Sequence, residues 1–285
     1  MRLGSRRGRT RDGQLVLVSP DLRRALPVDE IAPTLQNALD RWTEVEDALR
    51  AADERLRSGR AAGVALADGD LLAPLPRTYA WIDCGAYAHP MELIAKLQGS
   101  EPPDPARAGR PPFYDGAGQF IASGEPLATL GSEELDIEAE LAFVLTDVEL
   151  GASDKEAGAA IVGVTVVNDI SLRDVLRDDL NAGMGIYHAK PPSSMAPVLV
   201  TLDELGAAWD GDHVHARMCS WVNGRLESLG CFHRFSSAGQ GHCVLVDRQI
   251  CAKEPRPSLD SPCVGVKQPC PFLRSPTTVN SDQSP

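Results

Sequence analysis

The stretch LDIEAELAFVL, residues 135–145, places two glutamates inside a run that is otherwise mostly apolar. Successive side chains of a strand point to opposite faces, so Glu138 and Glu140 share one face with Ala142 and Val144. Two carboxylates held side by side away from water are costly unless a cation, a proton or several donors compensate them. The pattern therefore has two explanations. Either the glutamates bind a cation, or they lie on an edge strand and are solvated.

A third carboxylate follows another apolar run. The segment AIVGVTVV, residues 160–167, predicts a strand, and the next residues are NDISLRD, so Asp169 lies where that strand leaves the core. Two glutamates at positions i and i+2 and an aspartate from another strand form an all-oxygen set. Such a set suits a hard divalent ion, Mg²⁺ or alternatively Ca²⁺ or Mn²⁺, better than zinc. The spacing alone is compatible with a divalent metal site and leaves the solvated alternative open.

The bulk composition excludes several classes of partner. With 285 residues and 43% hydrophobic content the chain can bury a large core in one or two domains. The formal net charge of −12 argues against binding to nucleic acid or to an acidic membrane surface. No apolar stretch is long enough to span a membrane, and no apolar segment follows the N-terminal arginines as a targeting signal requires. A cytoplasmic location is expected.

The chain divides into three parts by pattern, and the fold class predicted is α+β. Residues 1–75 predict a small α+β unit, with a strand at QLVLVS and one or two amphipathic helices between positions 33 and 59. Residues 76–230 contain short apolar runs divided by Gly, Pro, Asp and Asn, which is typical of a mostly β domain.

The third part, residues 231–285, is irregular. It has little periodicity, seven prolines after Lys253 and five of the seven cysteines. No CxxC pair occurs, so the cysteines are interpreted as free thiols rather than a zinc site or a disulfide framework. Two explanations remain open for this segment. It is either a disordered tail specific to a lineage, or a stretch of coding sequence read out of frame.

Several motifs together resemble the fumarylacetoacetate hydrolase family. They include RDGQLVLVSPDLRRA, APLPRTYAWIDCGAYAHPMELIAKLQG, LDIEAELAFVL, VNDISLRD and AKPPSSMAPVLVTLDELG, and the resemblance covers residues 1–229. It implies a small N-terminal α+β unit followed by a mixed β-sandwich roll, incomplete in this chain. The family's metal ligands are an aspartate in the first motif, the E-x-E pair and the aspartate of V-x-N-D. At matching positions these are Asp83, Glu138, Glu140 and Asp169, which favours the cation explanation.

The resemblance implies roles for further residues. Arg173 and Lys190 match basic positions near the metal that hold an anionic substrate end, although either can also be a surface cation. Tyr114 matches a tyrosine near the substrate, although a tyrosine is equally suited to a core. The implied activity is hydrolysis of a C–C bond in a diketo or oxo acid, in which the metal stabilises an enolate and a histidine-based dyad activates water. The resemblance also implies a homodimer.

The chain departs from the family pattern at two places. The family histidine falls seven positions after the metal aspartate, where this chain has Pro90, and His89 stands one position early. The family's late Gly-Ser/Thr-Gly-Thr motif is not recognisable in residues 231–285. Two alternatives to an active hydrolase therefore remain. One is a catalytically inactive metal-binding protein, and the other is an oxo-acid isomerase or decarboxylase of the same fold. His188, His213 and His215 are expected to be structural or exposed.

Overall fold

The fold is taken from a computed structural model of the 285-residue chain. It describes residues 1–84, 95–96, 99–101, 113–115, 118–129, 131–222, 225–231, 245–246 and 263–266. The predicted base His89 and the neighbouring Pro90 lie outside these residues.

The N-terminal unit contains strands and helices, as its sequence pattern predicts. Its elements are β1 (Arg2–Arg6), β2 (Gln14–Val18), β3 (Arg24–Pro27), α1 (Leu35–Asp40), α2 (Trp42–Arg57) and β4 (Val64–Ala65). Thr34 caps α1 by accepting a hydrogen bond from the backbone N–H of Asn37. In α2 the side chains at 45, 49, 52 and 56 form one buried stripe, the spacing expected of a helix that packs on a sheet.

The larger unit is mostly β, and the α+β class is confirmed. Its strands are β5 (Ile82–Cys84), β6 (Phe113–Asp115), β7 (Phe120–Ala122), β8 (Leu135–Leu145), β9 (Ile161–Leu172), β10 (Ser193–Met195), β11 (Leu199–Thr201), β12 (Arg217–Val222), β13 (Arg225–Cys231), β14 (Leu245–Val246) and β15 (Cys263–Val266). Its helices that are described over their full length are α3 (Asp154–Ala159), α4 (Arg173–Asn181) and a 3₁₀ segment, Leu202–Ala208.

One sheet runs through both units. Among the described residues it has twelve strands, ten of them in the order β4-β3-β2-β1-β11-β9-β8-β14-β5-β6, with β10 paired to β9 and β7 to β10. The junction is the antiparallel pair β1–β11, in which Leu3 lies opposite Leu199. A second sheet has the order β13-β12-β15. The core of the N-terminal unit is therefore continuous with the sheet that carries the acidic residues.

Strands β8 and β9 form the longest ladder of the sheet, from Leu135 opposite Leu172 to Leu145 opposite Ile161. Both faces of this pair are covered over much of its length. On one face Leu141 and Phe143 pack in a cluster with Val214, Ala216 and Met218. On the other face Ala142 packs in a cluster with Trp81 and Phe120. An edge strand with solvated glutamates is therefore not what the fold contains.

Close contact between β9 and β11 explains a glycine in the middle of β9. A Cβ at position 163 would lie 2.4 Å from the carbonyl oxygen of Val200. Gly163 is thus required for the approach of β11, the strand that joins the two units.

The segment 231–285 is described at three places. Cys231 ends β13, β14 pairs with β8 and β5, and β15 pairs with β12. The rest of this segment lies outside the described residues, so the interpretation of it as an irregular or out-of-frame tail stays a prediction.

Among the helices in the described part of the chain, none combines the length and the apolar character that crossing a bilayer requires.

Candidate metal centre

The antiparallel register of β8 and β9 brings the predicted acidic residues to one face of the sheet. Glu138 lies directly opposite Asp169, and Glu140 lies opposite Val167 on the same face. All three carboxylates are buried, with relative exposures of 5% for Glu138, 0% for Glu140 and 1% for Asp169. The alternation argument drawn from the sequence therefore gives the observed face.

Three carboxylates from three strands form a compact group. Asp83 of β5, Glu140 and Asp169 each offer one oxygen, and these oxygens lie within 4.8 Å of one another. Asp83 is also buried, with 4% exposure. Like charges at such a separation repel strongly away from water, so the arrangement favours an added cation or protons. All donors are hard oxygens, the set that fits a divalent cation of the Mg²⁺, Mn²⁺ or Ca²⁺ type.

Glu138 lies outside this three-carboxylate group and is held by donors. Its Oε1 accepts hydrogen bonds from Ser171 Oγ at 2.8 Å and from Arg173 Nη2 at 2.5 Å. Its Oε2 is 3.8 Å from Lys190 Nζ. The guanidinium of Arg173 also donates from Nε to Asp136 at 2.8 Å. The two glutamates of the E-x-E pair thus share a face but have different surroundings.

Lys190 is the buried cation of the centre. Its Nζ donates to Asp169 Oδ2 at 2.5 Å, and the residue is only 8% exposed. Burial disfavours its charged form, but the carboxylates of Asp169 and Glu138 outweigh this effect and raise the pKa of Lys190 above its ordinary value. Lys190 is therefore an ammonium at neutral pH and offsets part of the negative charge.

Arg173 lies at a more open position than Lys190. The side chain of Arg173 is 36% exposed, and it occupies the first residue of α4, directly after the end of β9. Both predicted cations therefore lie beside the carboxylates, one enclosed and the other partly accessible to solvent.

Two hydroxyl groups of the centre do not follow from the sequence pattern used above. Ser171 donates to Glu138, and Ser193 Oγ donates a short hydrogen bond to Asp169 Oδ1. Both serines are buried. Ser171 is two residues beyond Asp169 on the same strand, so alternation along β9 is a signal that could have identified it. Ser193 belongs to a strand remote in sequence, and no local pattern points to it.

The remaining predicted residues lie at the margin of what the structure describes. Tyr114 is in β6, where its backbone lies opposite Asp83, and its side chain is outside the described part. His89 is outside the described residues altogether. His188 and His215 are exposed and contact Asp179 and Asp210, as expected for histidines without a role in the site.

Two family models match the chain. The fumarylacetoacetase N-terminal domain 2 matches residues 1–77, and the fumarylacetoacetate (FAA) hydrolase C-terminal domain matches residues 80–234. The second match alone covers more than half of the chain. A search of curated proteins gave no match.

Several solved structures share the fold of this chain. A fumarylacetoacetate hydrolase from the psychrophile Exiguobacterium antarcticum is 18% identical, with 81% of this chain and 76% of that chain covered and a TM-score of 0.55. A maleylpyruvate hydrolase from Sphingobium sp. SYK-6, in complex with manganese(II) and pyruvate, is 19% identical over 81% and 76%, with a TM-score of 0.54. A probable 2-hydroxyhepta-2,4-diene-1,7-dioate isomerase from Mycobacterium abscessus is 19% identical over 81% and 72%, with a TM-score of 0.53.

The chain belongs to the fumarylacetoacetate hydrolase family. The resemblance drawn from the motifs is confirmed, and the fold is the one shared with these structures. The model that matches residues 80–234 is described as that of a hydrolase, and the similar structures include two hydrolases and a probable isomerase.

Proposed function

We propose that this chain is a metal-dependent hydrolase that cleaves a C–C bond in a diketo or oxo acid of the fumarylacetoacetate or acylpyruvate type. The observation that carries the proposal is the buried group of Asp83, Glu140 and Asp169 in a chain of this family. Burial of three carboxylates beside one another is costly and is not needed for a stable fold. It is instead the arrangement that a divalent cation requires.

The cation proposed is Mg²⁺, with Mn²⁺ or Ca²⁺ as alternatives. Asp83, Glu140 and Asp169 would hold it, and Glu138 lies beside them on the same face. When bound, such an ion polarises a carbonyl oxygen and stabilises the negative charge that develops as a C–C bond breaks. Support from a similar fold is the Sphingobium maleylpyruvate hydrolase, whose structure contains manganese(II) and pyruvate.

Arg173 and Lys190 would bind the acidic end of the substrate. Arg173 is partly exposed and presents a planar fork of donors, the geometry that suits a carboxylate. Lys190 is enclosed, and its contact with Asp169 keeps a positive charge beside the grouped carboxylates. Tyr114 is proposed to lie near the substrate on the basis of the family motif.

The overall reaction adds one water across the broken bond. The hydroxyl oxygen of water adds to a ketone carbon, the C–C bond to the neighbouring carbon breaks, and that carbon takes the electron pair and then a proton. The products are a carboxylic acid and an oxo acid. A base must accept a proton from the attacking water, and general-base catalysis contributes about 10²- to 10⁴-fold. His89 is the proposed base, and Pro90 stands where the family has its histidine.

Because of Pro90 and the missing late motif, we propose that this chain, as written, turns over such substrates slowly. The test compares three proteins with Mg²⁺ on acylpyruvates and fumarylacetoacetate-like acids. They are the chain itself, Pro90→His, and a chain whose residues 231–285 are replaced by an alternative reading frame. The replaced segment should recover more activity than Pro90→His, since substrate orientation can contribute roughly 7 to 11 kcal/mol. Full family-level turnover by the unaltered chain would contradict the impairment and make His89 the next residue to test as the base.

The second candidate is an isomerase or decarboxylase of oxo acids with the same metal centre. The similar fold of the probable isomerase from Mycobacterium abscessus favours keeping it. Product analysis separates the alternatives, because hydrolysis yields two acids whereas isomerisation leaves the mass of the substrate unchanged. A chain that binds Mg²⁺ and transforms no oxo acid would instead be a non-catalytic family member. Association as a homodimer, implied by the family, is part of this proposal and is checked by sedimentation.

A further inference from the structure

Both oxygens of Asp169 accept a hydrogen bond from the segment that leads into and forms β10. Lys190 Nζ donates to Oδ2 at 2.5 Å, and Ser193 Oγ donates to Oδ1. Both donors are buried, at 8% and 4% exposure. Asp169 is therefore held at both ends of its carboxylate, whereas a free aspartate can rotate about two side-chain bonds.

The strand pairing explains why Ser193 reaches this carboxylate. In the antiparallel pair β10–β9, Ser194 lies opposite Asn168 and Met195 opposite Val167. One position further along the same ladder, Ser193 is next to Asp169, and its side chain lies on the face that carries the metal centre. The position of this hydroxyl is thus set by the sheet rather than by a flexible loop.

The two donors to Asp169, Lys190 and Ser193, contribute differently to the charge and the orientation of its carboxylate. Lys190 brings a positive charge and so offsets part of the repulsion among the carboxylates. Ser193 is neutral, so its hydrogen bond changes the direction in which Asp169 points much more than the charge of the site. Ser171 makes the same kind of contact to Glu138, the carboxylate that lies outside the three-carboxylate group.

We propose that Ser193 is a positioning residue that directs Asp169 toward Asp83 and Glu140, and so sets the cation affinity of the centre. The inference rests on the proposed function in one respect, namely that this group binds a divalent cation. Residues that hydrogen-bond a metal ligand typically change metal affinity by about 10- to 100-fold when they are replaced.

The test is a calorimetric titration of the full chain with Mn²⁺ alone. Ser193→Ala removes the hydroxyl and should weaken Mn²⁺ binding by about 10- to 100-fold, whereas Ser193→Thr keeps it and should bind within about threefold of the wild type. Ser194→Ala is the matched control, because its side chain lies on the other face of the same strand. The affinity of Ser194→Ala for Mn²⁺ should equal that of the wild type. Thermal unfolding of each variant in EDTA measures the stability of the cation-free protein separately.

The outcomes separate this inference from the proposed function. If the wild type takes up no Mn²⁺, the metal-dependent function is wrong. If the wild type binds Mn²⁺ and Ser193→Ala binds it equally well, only the role of Ser193 is wrong. Equal weakening in Ser193→Ala and Ser193→Thr would also overturn it, since the hydroxyl would then not be the cause. Should Ser193→Ala fail to fold, Ser193→Cys, a weaker donor of similar size, must show weakened binding, and wild-type affinity in it would overturn the proposal.

Discussion

Two regions of the molecule gather charged side chains, and their charge balance differs. Between α2 and the 3₁₀ segment, each carboxylate contacts an arginine. Arg50 pairs with Glu46 at 2.7 Å and with Asp203 at 3.2 Å, while Arg57 bridges Asp53 and Glu204. We call this the helix network. The metal centre, within the described part of the chain, has five carboxylates and only two cations. The cations are Arg173 and Lys190, and the carboxylates are Asp83, Asp136, Glu138, Glu140 and Asp169.

The difference indicates what each region is for. Paired charges at a helix surface fix the position of α2 against the 3₁₀ segment and need nothing further. Among the described residues the metal centre has an excess of three negative charges, and four of its five carboxylates are buried, which is costly unless further positive charge or donors compensate them. A structural role explains the first region, whereas the surplus of carboxylates among the described residues of the second region favours a bound divalent cation.

The largest effect is expected from removing one carboxylate of the metal centre. Glu140→Ala deletes one of the three grouped oxygen donors and should weaken Mn²⁺ binding by about 100-fold or more, which corresponds to about 2.7 kcal/mol. Asp203→Ala in the helix network is the control and should leave the affinity unchanged. Calorimetric titration measures both. Equal Mn²⁺ uptake by Glu140→Ala and the wild type would show that this carboxylate group is not the binding site.

Replacing a carboxylate by an amide should change the free energy of unfolding by a smaller amount, and in opposite directions in the two regions. The comparison is made in EDTA, so that no divalent cation is bound. Glu140→Gln removes one of several crowded negative charges and should raise the free energy of unfolding by roughly 1 kcal/mol or more. Asp53→Asn removes the partner of Arg57, whose Nε lies 2.6 Å from it, and should lower that free energy by about 1 to 2 kcal/mol.

Urea unfolding of both variants at neutral pH checks this prediction. A decrease in both variants would mean that the charges of the metal centre are already compensated by the chain, and the contrast between the two regions would fail. Adding Mn²⁺ sharpens the comparison. Mn²⁺ should stabilise the wild type because it binds to the folded state. It should stabilise Glu140→Gln less than the wild type, and Asp53→Asn as much as the wild type.

Alternation along strands was sufficient to predict part of the site. It placed Glu138 and Glu140 on one face, because side-chain direction in a strand has a period of two. Asp169 joins them through the β8–β9 register, which alternation does not give and which the family motifs implied. Alternation did not predict that Glu138 and Glu140 differ in their partners. That difference depends on Arg173 and Ser171 near the end of β9, and so on cross-strand register rather than on the pattern within β8.

The features that could not be predicted depend on contacts between segments that are far apart in the sequence. The buried stripe of α2 could be inferred from its spacing, but the pairing of Leu3 with Leu199 joins strands about two hundred residues apart and leaves no local signal. The same holds for Ser193, which reaches Asp169 only because β10 pairs with β9. Lys190 and Asp83 were identified by family motifs, since neither follows from hydrophobic periodicity.

The smallest effect is expected from acidification of the helix network. Burial alone would raise the pKa of Asp203, but a hydrogen bond from Thr201, the nearby ammonium of Met1 and the guanidinium of Arg50 hold its pKa below its usual range. A carboxyl group with a lowered pKa in the folded state stabilises the protein above its ordinary pKa of about 3.9, and this stabilisation is lost as the pH falls through the folded-state value. Asp203 is half exposed, with 53% side-chain exposure, so solvent screening keeps its contribution below about 1 kcal/mol. Asp203→Asn should therefore be slightly less stable than the wild type at pH 7, and the difference between the two unfolding free energies should shrink as the pH falls below about 3.9. Urea unfolding from pH 7 to 3 measures this difference. A gap that widens on acidification would mean that Asp203 is destabilising in its charged form, and the helix network would then resemble the metal centre instead of contrasting with it.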